Sequence, residues 1–247
     1  AFLNPAAGIL AAADEQGLVR GWDLESRRPK FEFFAGNTPV LAVRAVADET
    51  LFTQSKAGLL QLWSIERAGT EVGSATRAEG SVKYLADIHS FCKSVLLRPC
   101  SSYGELAPIA FPHGPDAVGL WDTRANMIQS LVSPQTSPTD VRKTGACTAL
   151  AALDFRYLCG AYEDGGVRVW DIRKQWPLTI QDLHTEPVFG LSVMASSKPG
   201  CAACASGGAD GCVIISKIQG VKEEEQARQT ESSITETGRM PIQAAGK

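Results

Sequence analysis

Cys201 and Cys204, separated by two alanines, are the pair with the spacing to do chemistry. A Cys-x-x-Cys unit can supply half of a zinc site or a dithiol redox centre. A zinc site needs two more ligands at suitable spacing, and only Cys212 is near. A redox dithiol should open a helix beside a strand, yet this pair lies in a small-residue strand leading into Ser206-Gly207-Gly208-Ala209-Asp210. Strand packing is the preferred reading. His89, His113 and His184 are the only histidines and lie too far apart in sequence to mark a metal cluster by themselves. The glycine-rich run from Gly207 to Gly211 has no strand–loop–helix phosphate motif around it. Serine, histidine and aspartate occur without a nucleophile elbow or other local signature. No catalytic residue, metal site or cofactor is expected.

The elements that must position these residues recur along the chain. Glu163-Asp164-Gly165-Gly166 is a tight-turn signal between two β-type runs, Tyr157 to Tyr162 and Val167 to Trp170. Trp170-Asp171 closes the second run. The same unit recurs around Trp22-Asp23, around Trp63 with Ser64 in place of Asp, and around Trp121-Asp122. A worn copy follows Asp210, with Ser216 at the tryptophan position. The spacings are 41 (22 to 63), 58 (63 to 121), 49 (121 to 170) and 46 (170 to 216). This unit resembles a WD40 repeat, where the turn Asp sits between the second and third strands of a blade and the period is about 40–45 residues. The longer gaps should hold loop insertions. The fold class is therefore all-β, a WD40 β-propeller.

A four-stranded blade cannot bury both faces alone, so blades stack radially. Each repeated tryptophan sits where stacking buries it. Such burial is worth about 4–6 kcal/mol as an upper bound. These positions are structural before they are anything else.

The boundaries read as 1–36, 37–77, 78–133, 145–183 and 184–219 for blades one to five, a propeller over 1–219. In blade two the outer strand is expected near Glu71 to Ala75. In blade three the inner strand is expected over Tyr84 to Ile88, and the second over Ser94 to Leu97 with Leu106 to Phe111. Ser133 to Thr144 is a Pro/Ser/Thr-rich connection, read as a plain exposed loop rather than a phosphorylated linker. Beyond Gln219 the chain turns polar and charged, with Glu223-Glu224-Glu225 at its centre. Residues 220–247 therefore read as a loop with no outer strand. The first blade is short of its inner strand and the last of its outer one, so open edges and a tendency to aggregate are expected.

Composition fits an ordinary globular chain: 247 residues, 44% hydrophobic and 21% charged. A formal net charge of -3 gives no reason to expect nucleic acid or an anionic membrane as main partner. Seven cysteines, scattered through strand-like segments, suit a reducing compartment rather than a disulfide framework. The expected location is cytoplasm and nucleus.

Several stretches resemble one WD40 family in particular. These are GLVRGWDLESRRP (17–29), FCKSVLL (91–97), DAVGLWD (116–122), LCGAYEDGGVRVWDI (158–172) and LHTEPVFGL (183–191). They are similar to the guanine nucleotide-binding protein beta subunit-like protein 1 family, whose fungal relative is the ASTRA-associated propeller subunit. The resemblance implies a seven-bladed ring, of which this chain would hold about five blades, with the start of the first and the last two missing. The resemblance to WD40 repeats in general implies His184, Ser206 and Asp210 as three members of a hydrogen-bonded tetrad, with Ser216 replacing the tryptophan as the fourth. Its implied role is non-catalytic: an adaptor for the TTT co-chaperone components and their clients, the phosphatidylinositol 3-kinase-related kinases. A chromatin-associated assembly is the fungal counterpart. Two readings stand beside it: a nuclear adaptor reading histone or other peptides, and an enzyme built on the thiols. The last is disfavoured because no nucleophile is paired with a base.

Overall fold

Strands that alternate apolar and small residues present two faces, and each face needs a neighbour. The computed structural model describes residues 2–3, 8–47, 49–65, 75–77, 83–84, 88, 90–97, 107–123, 127–135, 143–174, 177–195, 201–219 and 234–241. Among them are 21 strands in five antiparallel sheets, each sheet following chain order.

The first sheet holds β1 (Phe2–Leu3), β2 (Ile9–Ala13), β3 (Leu18–Asp23) and β4 (Arg28–Phe34). The second holds β5 (Val40–Ala47), β6 (Thr50–Ser55), β7 (Leu59–Ile65) and β8 (Ala75–Arg77), with β9 (Lys83–Tyr84) also paired to β7. The third holds β10 (Val95–Leu96), β11 (Ile109–His113), β12 (Ala117–Asp122) and β13 (Met127–Val132). The fourth holds β14 (Cys147–Ala152), β15 (Tyr157–Tyr162), β16 (Gly166–Asp171) and β17 (Thr179–Asp182). The fifth holds β18 (Val188–Ala195), β19 (Cys201–Gly208), β20 (Cys212–Gln219) and β21 (Ile234–Pro241).

Two expectations are corrected. Ile234–Pro241 is not loop: it pairs antiparallel with β20 from Cys212↔Pro241 to Ile218↔Ile234 and gives the fifth sheet its outer strand. The charged run before it masks a segment whose Ile234, Thr235 and Thr237 favour a strand. Tyr84 does not open blade three. It pairs with Leu59 on the outer side of blade two. The inner strand of blade three is instead Val95–Leu96, the segment read as a second strand. The buried Gln54 and the half-buried Arg44 fix it there. The Gln54 amide donates to Cys92 O at 2.9 Å and accepts from Ser94 N at 2.7 Å, while Arg44 Nη2 donates to Ser94 O at 3.1 Å.

The core is four inter-sheet layers. Phe31, Phe33 and Val19 of sheet one meet Leu51 and Trp63 of sheet two. Phe52, Leu60 and Val46 of sheet two meet Phe111 and Trp121 of sheet three. Leu97, Leu120 and Val118 of sheet three meet Leu158, Tyr162 and Trp170 of sheet four. Val167, Val169 and Cys159 of sheet four meet Val188, Cys204 and Ile218 of sheet five. Each sheet is thus packed on the next through a layer of apolar side chains, which is the packing of propeller blades.

Candidate functional site

A tryptophan on the third strand marks each of the first four blades. Trp63, Trp121 and Trp170 are buried, whereas Trp22 is half-buried. The ring of Trp63 lies 4.5 Å from that of Phe33 in the preceding sheet, and Trp121 meets Phe52 edge-on at 6.0 Å. Trp63 Nε1 donates to Thr53 Oγ1 at 2.9 Å, and Trp170 Nε1 reaches back across the blade boundary to Ser133 O at 2.8 Å. The strand register shifts at this position in three blades: between Gly21 and Trp22, between Leu120 and Trp121, and between Ile215 and Ser216. Ser216 therefore occupies the tryptophan register of blade five. It is buried and sits opposite Cys204 in the strand pairing.

The turns between second and third strands share one end of every sheet, and the described connections from blade one to two and from four to five lie at that same end. Gly165 has a φ of 83°, which a side chain rarely adopts, and a Cβ there would run into His184 O. That close approach matters, because His184 N donates to Gly165 O at 3.1 Å and ties blade four to blade five. The same clamp joins blades one and two, where Ala35 N donates to Gly17 O at 2.9 Å and Val40 N to Asp14 O at 3.2 Å.

His184, Ser206 and Asp210 lie together on this rim. His184 Nδ1 is 3.0 Å from Asp210 Oδ1, and Nε2 is 2.9 Å from Ser206 Oγ. Asp210 Oδ1 also accepts from Cys212 N at 3.0 Å, which closes the turn. Burial pushes the Asp210 carboxyl up, but the bonds from His184 and the Cys212 amide outweigh it and leave it below the usual range.

Asp164 occupies the equivalent turn of blade four, and its partner is an arginine. Arg168, 1% exposed, places Nη1 2.7 Å from Asp164 Oδ1 and pairs Nη2 with Oδ2. Its guanidinium lies 4.7 Å over the Tyr162 ring. Asp171, buried at the opposite end of β16, accepts from Arg156 Nε at 3.0 Å and from Arg173 Nε at 3.1 Å. Burial raises the Asp171 carboxyl, and these arginines bring it below the ordinary value. Asp23 accepts from Ser26 N at 2.8 Å, and Asp122 ends β12 opposite Met127. Every one of these aspartates serves a turn or a strand end.

The cysteine pair does not converge. Strand periodicity sends Cys201 and Cys204 to opposite faces of β19, with Cys204 buried against blade four and Cys201 only half-buried. One ion cannot bridge them. Burial pushes the Cys204 thiol up to about 11 and raises Cys159 as well, which keeps both as poor nucleophiles. Cys92 and Cys147 do approach, with sulfurs 3.8 Å apart across the boundary of blades three and four. The Cys147 hydrogen bond, with burial, holds the Cys92 thiol well above its usual value. Among the described residues there is no group of three or more His, Cys, Asp or Glu able to hold a metal ion. His89 lies outside the described residues.

Sequence reasoning missed Arg168, Arg156 and Arg173. The available signal was the arginine two residues before Trp170, which strand periodicity places on the same buried face as that tryptophan. It also missed the exposed aromatics Phe91, Phe155 and Phe189. Phe91 and Phe189 adjoin the rim, just before or within inner strands.

No family model matches the chain. It is 31% identical over 140 residues to a ribosome biogenesis protein WDR12 homolog of Chlamydomonas reinhardtii, a stretch covering 56% of this chain and 31% of that protein. The chain thus spans about a third of the curated relative it matches. Among solved structures, the β-propeller domain of Cps50 (Swd1) from Myceliophteria thermophila superposes with a TM-score of 0.65 at 12% identity, over 96% of this chain and 70% of that one. Raptor from Chaetomium thermophilum gives a TM-score of 0.64 at 13% identity, over 95% of this chain and 20% of that one. The computationally designed Ika8 protein gives 0.59 at 17% identity, over 88% and 57%. At such identities the structures show the fold. Together with the curated relative they support a WD40-type propeller.

Proposed function

We propose that this propeller is a non-catalytic scaffold for protein–protein interaction in cytoplasm and nucleus. The finer reading places it in co-chaperone-assisted maturation of phosphatidylinositol 3-kinase-related kinases, or in an ASTRA-type chromatin-associated assembly. One observation carries the scaffold reading. The motif tryptophans, aspartates and His184 are all engaged in holding blades and turns, and the described thiols closest to a reactive pattern are splayed or buried. What is left to act is the loop rim, a surface that could meet other proteins rather than a reactive pocket. The resemblance through FCKSVLL and AYEDGG supports the kinase-maturation reading. The similarity to the ribosome biogenesis protein favours a second one, a scaffold in ribosome assembly.

The test is a pull-down of the protein tagged at its own locus, with mass spectrometry of what it retains. TTT components and their client kinases are expected. Ribosome-assembly factors would move the protein to the second reading, and histones would point to a peptide-reading adaptor. Turnover of a co-purifying small molecule, with no protein retained, would sink the scaffold itself.

A further inference from the structure

The run FCKSVLL is the one distinctive motif that blade packing does not fully use. Its inward residues, Cys92, Ser94 and Leu97, are buried at 1% exposure or less, while Phe91 stands 69% exposed and Lys93 is exposed beside it. The segment is not a loose loop. Gln54 brackets it through Cys92 O and Ser94 N, and Arg44 donates to Ser94 O through both Nε, at 3.2 Å, and Nη2. A large aromatic is therefore held out in solvent by a buried scaffold, the reverse of what hydrophobic burial favours. Lys56, on the turn between β6 and β7, places Nζ 4.8 Å from the centre of the Phe91 ring. That cation covers one part of the ring, and a second exposed cation, Lys93, follows Phe91 by two residues in a chain of net charge -3. The carboxylates of the two following rim turns are already engaged: Asp116 accepts from Thr144 Oγ1 at 3.3 Å, and Glu163 from Ala146 N at 2.9 Å.

We propose that Phe91, Lys56 and Lys93 form a docking surface for an acidic segment of a partner protein that carries an apolar side chain. The apolar side chain packs on Phe91 and the carboxylates meet the two lysines. The inference rests on the scaffold reading and gives that scaffold a contact point. Rigidity is the reason this spot binds well. Gln54 and Arg44 already fix the backbone immediately after Phe91, so little backbone freedom is lost on contact. Aromatic anchors of this kind concentrate binding energy, while the lysines favour the acidic partner and reject a basic one.

The test uses the whole chain and three labelled peptides of equal length. One alternates Glu and Gly around a central Leu-Phe; in the second the Glu are Gln; in the third they are Lys. Fluorescence anisotropy is expected to show saturable binding of the acidic peptide, weakening as salt rises, with the other two at least about tenfold weaker. Phe91→Ser should weaken the acidic peptide by about tenfold or more, and Lys93→Glu should do likewise. Both sites are exposed, so thermal melts of the variants should match the parent, and Lys56→Gln gives an independent variant. The surface is overturned if the acidic peptide fails to bind, binds no better than the lysine peptide, or ignores all three substitutions. The same substitutions in the tagged protein separate this idea from the broader one. Partners retained in full by Phe91→Ser and Lys93→Glu remove the docking surface and leave the scaffold; no partner retained by the parent removes the scaffold.

Discussion

Withdrawing the charge of Asp164 should destabilise blade four more than withdrawing that of Arg168, although the two form one ion pair. Arg168 is 1% exposed and cannot turn to water, whereas the Asp164 side chain is 22% exposed and can. Asp164→Asn keeps an oxygen for Gly166 N, which Asp164 Oδ1 binds at 3.0 Å, so the turn survives and the charge alone is lost. It leaves the buried guanidinium facing one neutral amide oxygen and the Tyr162 ring in place of a carboxylate. Breaking a buried pair in this way costs about 3–5 kcal/mol, and the exposure of Asp164 with the Tyr162 contact argues for the lower end, about 3 kcal/mol. In a chain of this size that lowers Tm by about 6–12 °C. Arg168→Met keeps most of the volume and leaves a carboxylate that reaches solvent, so its cost is about 1–2 kcal/mol. The double variant should be little worse than Arg168→Met, with a coupling of about 2 kcal/mol. Urea unfolding followed by the fluorescence of the five tryptophans reads all four corners of the cycle. If Asp164→Asn lies within about 0.5 kcal/mol of the parent, or Arg168→Met costs more than it, the buried-charge argument is wrong.

Four further outcomes are expected. Trp170→Ala should cost about 3–5 kcal/mol, because Trp170 is fully buried between sheets three and four, while Trp22→Ala should cost clearly less because Trp22 is half-buried; equal urea midpoints would contradict this. His184→Ala should cost about 1–3 kcal/mol by leaving Ser206 without its partner, and a melt identical to the parent would count against it. The carboxyls of Asp210 and Asp171 lie below their unfolded value in the folded chain, so their stabilisation is complete above about pH 4 and fades as pH falls through the lower folded values. Asp210→Asn should therefore flatten the loss of urea stability below pH 4, and an unchanged acid slope would remove Asp210 from the account. Gly165→Ala should destabilise by about 2 kcal/mol or more, since it combines a positive φ with a clash against a backbone carbonyl; a parent-like melting curve would deny that constraint.

The propeller was legible because blade packing is periodic and sequence is linear. Trp22, Trp63, Trp121 and Trp170 stand in one register, and a turn glycine precedes each third strand. What escaped was anything held by side-chain-to-backbone bonds. Val95–Leu96 is too short to announce itself as an inner strand. Gln54 and Arg44, 38 to 50 residues away in sequence, fix the segment that leads into it. Ile234–Pro241 escaped for a different reason: an outer strand needs only one partner, β20, and tolerates polar residues on its way there.

The site residues divide along the same line. His184, Ser206 and Asp210 were nameable through the resemblance to a WD40 repeat, and the fold brings them together, with His184 Nδ1 3.0 Å from Asp210 Oδ1 and Nε2 2.9 Å from Ser206 Oγ. Arg168 was not, because an arginine in a strand reads as solvated until burial is known, and burial here comes from the neighbouring blade. The Cys201–Cys204 pair shows the converse. Its spacing is chemically suggestive only if the local element is a loop or helix, where residues three apart converge; on a strand they diverge. Function lies one step further out. A propeller spends its distinctive residues on holding blades together, so the partner must be recognised by residues free of that task. Those residues, Phe91, Lys56 and Lys93 among them, stand at positions the blade repeat does not mark; FCKSVLL is distinctive in sequence, but which of its residues face solvent is known only from the fold.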